Sequence, residues 1–207
     1  REEHRTNAMA MIGATIGMTF AISLVAAPLL NQLIGVHGIF WMTGVLSILA
    51  IGVVKYAVPD PAHSQFHSDA QASPGKIKDV LRDRQLLRLN FGTFCLHGAQ
   101  MAMFIVVPFA LKETSGMSEN QHWQVYLPAL VASFVLMIPA IIYAEKRAKL
   151  KPVFIGAVAL MLAAQIAFAF NIHVFWGIVA SLFVYFVAFN ILEASLPSLI
   201  SKMAPAA

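Results

Sequence analysis

Charge is what this chain has least of. Asp, Glu, Lys and Arg make up 12% of its 207 residues, about half the roughly 25% share of an ordinary soluble domain. Apolar residues make up 59%, so a soluble fold of this size would lack the charged shell its core needs. Cysteine is nearly absent as well. Cys95 stands alone in an apolar stretch, which rules out a disulfide within the chain. No glycine-rich nucleotide loop, zinc-protease motif or nucleophile elbow occurs. The reading is therefore not an enzyme, with no cofactor implied. The chain opens on Arg1-Glu2-Glu3-His4-Arg5, with neither an initiator Met nor a signal-peptide pattern. It is expected to be a piece of a longer protein.

The few charges are bunched, and the gaps between them carry the fold. No charged residue lies between Arg5 and Lys55, between Arg88 and Lys112, between Glu119 and Glu145, or between Lys151 and Glu193. A membrane-crossing helix needs about 20 apolar residues. Two gaps fit one crossing each, and two are about twice as long. The chain thus reads as an all-α membrane protein with six transmembrane helices, near 8–33, 37–57, 89–111, 121–144, 152–170 and 174–198. A barrel is disfavoured, because barrel strands alternate polar and apolar residues, whereas Val153 to Ala164 is apolar throughout. Short turns are expected at Leu33–Gly38 and at Asn171–His173.

Thirteen of the fourteen Lys and Arg residues then fall on one face, and Lys112 alone falls on the other. The positive-inside rule makes the crowded face cytoplasmic, with both ends of the segment on that side. The same distribution explains the net charge of +4 without nucleic acid as a partner. The longest connection divides into a flexible stretch, Pro59 to Gly75, and an amphipathic stretch, Lys76 to Arg84. Ile77, Val80 and Leu81 share one face there, as in a helix on the membrane surface or in a soluble linker. Two helices precede this connection and four follow it, which marks a boundary between two bundles. The domains are read as 1–58, a linker at 59–88, and 89–207.

Few residues within the spans could carry chemistry. Gly13, Gly17, Ser23 and Ala27 allow close helix approach, and Pro28 removes a helical hydrogen bond. On the third span Asn90, His97, Met101 and Phe104 fall near one side, with Gln100 beside them. Polar groups in membrane helices face an interior or a cavity. His97 either binds protons or substrate, or is hydrogen-bonded to a neighbouring helix. On the sixth span Phe186, Asn190, Glu193 and Pro197 share a face. Glu193 is the one acid inside a span, and a pairing with Arg147, as a gate or structural contact, is expected. His63 and His67 near Asp60 and Asp69 offer too few ligands for a metal site, and none is assigned.

Four segments resemble a known family. Arg1 to Ala10 is similar to the loop between helices four and five of major facilitator superfamily transporters, specifically drug-efflux-type proton antiporters of the YajR-like kind. The first span resembles helix five, whose antiporter motif Gly-x-x-x-Gly-Pro-x-x-Gly-Gly here reads Ser23, Ala27, Pro28, Asn31 and Gln32. Tyr143 to Lys151 resembles the loop between helices eight and nine, a cytoplasmic gate latch that would use Glu145 and Arg147. Asn190 to Lys202 is similar to the end of helix ten. The resemblance covers the chain as helices five to ten of twelve. It implies a partial fold of that superfamily, alternating access through a central cavity, and Asn90, His97, Gln100, Met101, Phe104 and Asn190 as cavity candidates. Met and Phe suit an apolar-tolerant site.

The function this implies is proton-coupled efflux of small molecules across a bacterial inner membrane. The partners would be a small-molecule substrate, protons, the lipid bilayer and the transporter's remaining helices. The alternatives are an uptake symporter for a metabolite and a non-transporting membrane scaffold.

Overall fold

The computed structural model describes residues 2–59 and 81–203. All regular structure among them is helical. Five helices are long and apolar enough to cross a membrane. They are α1 (Glu2–Ala57), α2 (Arg84–Ser115), α3 (Trp123–Lys146), α4 (Leu150–Asn171) and α5 (Phe175–Met203). A short 3-10 turn, Glu119–Gln121, leads into α3.

The expectation of six separate helices is corrected to five, and the difference lies at the start of the chain. The spans expected at 8–33 and 37–57 run on from one another as two helical segments joined across a kink, and count as one membrane-length helix. The turn expected at Leu33–Gly38 shrinks to a single non-helical residue, Gly35, with φ 66° and ψ 175°. Charge gaps report how much apolar chain is present; they do not distinguish a loop from one displaced residue. From Thr15 to Ala57 α1 has 43 residues. Drawn out straight it would reach about 65 Å, roughly twice the hydrocarbon core. Gly35 adopts backbone angles open essentially to glycine alone, where a side chain costs about 1–3 kcal/mol. A Gly35→Ala substitution is therefore expected to destabilise the full-length protein by about that amount. Thermal unfolding in detergent measures it, and an unchanged midpoint would show that the bend does not depend on glycine. The helix runs through Pro28 without a non-helical residue there.

Most of the amphipathic stretch expected at 76–84 lies outside the described residues, but its end differs from expectation. Asp83 is the N-cap of α2, its Oδ1 accepting from the backbone N–H groups of Gln85 at 2.7 Å and Leu86 at 3.2 Å. The cap satisfies two of the helix's unpaired first-turn donors. It starts α2 ahead of the expected 89. At the far end Gly116 is left-handed, with its N–H donating to the Lys112 carbonyl at 3.0 Å. The tight junction between α4 and α5 falls where it is expected, closed by the Val174 N–H donating to the Asn171 carbonyl at 3.0 Å.

The core forms around α5, which packs against α2, α3 and α4. Every residue from Tyr185 to Leu192 is buried, so this stretch is enclosed on all sides, and its composition is apolar on nearly all of them. The first half of α1 joins at α3: Phe20, Ala21 and Leu24 pack on the core, and a Cβ at Gly17 would touch the Phe134 ring at 3.5 Å. The outward faces carry Phe91, Phe94, Ile105, Phe109, Leu162 and Phe170, all exposed. Apolar surface on that scale would drive a soluble monomer to associate. Against lipid tails it costs nothing, and the helices hold together through packing and hydrogen bonds instead.

Candidate functional site

Two ionisable side chains from different helices meet on the exposed side of the α2–α5 contact. His97 lies about 20 Å along α2 from its start, and Glu193 about 15 Å before the end of α5, at 1.5 Å per residue. The His97 Nε2 and a Glu193 carboxylate oxygen are 3.7 Å apart. This is an ion-pair contact, beyond hydrogen-bond reach, and the one ion pair among the described residues. Each side chain is 47% exposed. The other ring nitrogen, Nδ1, lies 3.3 Å from the Gln100 Oε1 one turn on. The Phe189 ring meets the imidazole edge to face at 6.2 Å. The ring is thus held on three sides, by a carboxylate, an amide and an aromatic edge.

A cavity of about 310 Å³ opens at this pair, lined by Thr93, His97, Glu193, Leu196, Pro197 and Ile200. The size is in the range of small-molecule sites. Its wall is mainly apolar. The Thr93 hydroxyl is already used, donating to the Leu89 carbonyl at 3.1 Å, so His97 and Glu193 supply the free polar groups. A carboxylate within a membrane helix costs roughly 2.5–3.5 kcal/mol on insertion scales, and such a residue persists where a partner or a cavity compensates. Here both are present.

The pairing expected between Glu193 and Arg147 is corrected, because the partner of Glu193 is His97. Arg147 is exposed, and its N–H donates to the Tyr143 carbonyl at 3.1 Å as the C-cap of α3. Glu145 is exposed beside it. Pro28 stands two turns ahead of the break at Gly35 in α1, and the Ser23 hydroxyl donates to the Thr19 carbonyl at 2.8 Å. Asn90, Ala27 and Met101 are exposed. Asn190 is buried, and its Nδ2 donates to the Ser133 Oγ at 2.7 Å. Ser133 in turn donates to the Leu130 carbonyl. This hydrogen bond ties α3 to α5.

Phe104 belongs to an aromatic column. Phe20 of α1 meets Phe104 edge-on at 5.9 Å, and Phe104 stacks on Tyr126 at 5.4 Å. Tyr126 contacts Phe186, Phe186 contacts Tyr185, and Tyr185 stacks on Phe189 at 5.9 Å. Phe189 returns the column to His97. Each contact contributes about 0.5–1.5 kcal/mol beyond area burial. Ser133, Tyr126, Tyr185 and Phe189 go unnoticed in the sequence. Ser133 left a signal, as a polar residue in an apolar span that needs a partner elsewhere.

The whole chain, residues 1–207, matches the family model described as Major Facilitator Superfamily. It is 39% identical over 206 residues to the inner membrane transport protein YajR of Escherichia coli (strain K12), covering 100% of this chain and 45% of that protein. It is 29% identical over 203 residues to the uncharacterized transporter BU466 of Buchnera aphidicola subsp. Acyrthosiphon pisum, covering 98% of this chain and 52% of that one. A third relative, an uncharacterized transporter of Buchnera aphidicola subsp. Baizongia pistaciae, is 22% identical over 205 residues, covering 96% and 51%. The chain spans about half the length of these curated relatives. No solved structure matches it at a significant level.

Proposed function

Because the chain belongs to the Major Facilitator Superfamily, we propose that it is a segment of a proton-coupled exporter of small molecules, working by alternating access in a bacterial inner membrane. The observation that carries this reading is the His97–Glu193 contact at the cavity. Histidine changes charge near physiological pH, and a carboxylate beside it is the natural second holder of the same proton. Proton and substrate would then meet at one place between two helices. That geometry lets an ion gradient bias a conformational change.

The segment corresponds to helices five to ten of twelve, with the parts of α1 before and after the Gly35 kink standing for two of them. Residues 1–58 close the N-terminal bundle, 59–88 link the bundles, and 89–207 open the C-terminal one. Both ends lie in the cytoplasm, as the clustered Lys and Arg residues require. Gln100, Phe104, Asn90 and Met101 belong with His97 to the cavity side of the bundle. Asn190 supports that side from behind through Ser133. Glu145 and Arg147 sit in a cytoplasmic connection, where they serve as a gate latch.

The test uses inside-out vesicles carrying the full-length protein and a panel of fluorescent small molecules. An acid interior should drive accumulation of a transported compound. Accumulation driven only by an alkaline interior would establish an uptake symporter instead. No pH-driven flux across the panel, together with normal cell growth phenotypes when His97 is replaced, would favour a scaffold.

A further inference from the structure

The two neighbours of the His97 ring are not equivalent, and their difference has a chemical consequence. A neutral imidazole carries one N–H and one bare nitrogen. Gln100 presents its carbonyl oxygen to Nδ1, so it is satisfied when the proton sits on Nδ1. The bare nitrogen is then Nε2, with its lone pair directed at the Glu193 carboxylate 3.7 Å away. A lone pair facing an anion gives no attraction. The contact becomes favourable when one further proton is present, as imidazolium beside carboxylate or as imidazole beside carboxylic acid.

We propose that Gln100 is a positioning residue that holds neutral His97 in its Nδ1–H form, so that the contact between α2 and α5 at His97–Glu193 exists only while the pair carries a proton. The inference rests on the proton-coupled reading above. Without an acceptor at Nδ1, neutral His97 would place its proton on Nε2, where an N–H facing the Glu193 carboxylate keeps an attraction after the ring loses its charge. The two helices would then stay tied in both protonation states, and the proton would control nothing. Glu193 is the titratable group that faces the ring from α5. The other groups around it, Gln100 and Thr93 on α2 and Phe189 on α5, are uncharged. Phe189 meets the ring edge-on and Gln100 faces Nδ1, an arrangement that turns Nε2 to Glu193, so the tautomer decides what Glu193 meets. The side-chain amide of Gln100 has a second orientation with its NH2 toward Nδ1, which would select the opposite tautomer.

Ring-15N-labelled histidine in the full-length protein, reconstituted in lipid nanodiscs, distinguishes the two. The His97 signals are assigned by their loss in His97→Gln. At high pH the wild type is expected to show a protonated Nδ1 and a bare Nε2. Gln100→Leu should move the proton to Nε2, and Gln100→Glu, which keeps an acceptor in place, should return it to Nδ1. A wild-type Nε2–H form overturns the proposal, as does an unchanged tautomer in Gln100→Leu, or a ring that stays doubly protonated up to high pH. The wild-type measurement decides even where a variant fails to fold. Failure of the exporter reading shows separately, as absent pH-driven flux with the wild-type tautomer intact.

Discussion

Replacing Phe186 with alanine is expected to destabilise the full-length protein by about 3 kcal/mol, at the lower end of the range for buried Phe→Ala substitutions. Phe186 is 1% exposed. Its ring lies between Tyr126 of α3 at 6.4 Å and Tyr185 of its own helix at 5.7 Å. The lower end is chosen on physical grounds. In lipid the unfolded reference already keeps a phenyl ring out of water, so the transfer contribution fades while the lost packing contacts remain. The useful comparison is Asn190→Ala, which removes the Ser133 hydrogen bond. Interhelical hydrogen bonds in membranes average about 0.6 kcal/mol, with a maximum near 1.7. Unfolding by titration with a denaturing detergent should therefore rank Phe186→Ala well above Asn190→Ala. The reverse order would mean that the polar tie, and not the aromatic column, holds α3 to α5.

Glu193→Gln is expected to abolish pH-driven accumulation while leaving the protein folded. The substitution keeps the shape and the packing of the side chain and removes its ability to carry charge. One proton exchanged per substrate across one pH unit is worth about 1.4 kcal/mol, which is about a tenfold concentration ratio. The wild type should reach that ratio in acid-loaded vesicles, and the variant should stop at equal concentrations inside and out. Facilitated equilibration, seen as exchange of labelled substrate, is expected to survive in the variant. A Glu193→Gln protein that still accumulates substrate tenfold would place the coupling group elsewhere.

The membrane character was legible because lipid imposes a one-dimensional constraint. A crossing helix can carry few charges, and the gaps after Arg88, Glu119 and Lys151 each mark apolar helix in the structure. Helix ends were less legible, since Asp83 acts through a side-chain cap while the span estimate counts only apolar residues. The gap after Arg5 shows the same limit at Gly35, where sequence pattern cannot tell a loop from one residue with unusual angles. At the site, His97 and Glu193 were both visible as ionisable groups in apolar spans, but their pairing was not. Glu193 was assigned to Arg147 by charge alone, and the choice between two cations depends on which helices pack together. Asn190 was visible for its polarity, and its burial against Ser133 depends on the same packing of α3 on α5.

Each passage through a bilayer reverses the side on which the following chain emerges. An uninterrupted α1 would count as an odd passage, and it would put Arg5 and Lys55 in opposite compartments. A reversal at the Gly35 kink would make the number even and would leave the cation-rich connections in one compartment. The dihedral angles of one glycine would then set the orientation of everything downstream. On the proton-coupled reading, they would also decide which of two aqueous phases delivers a proton to the His97–Glu193 pair.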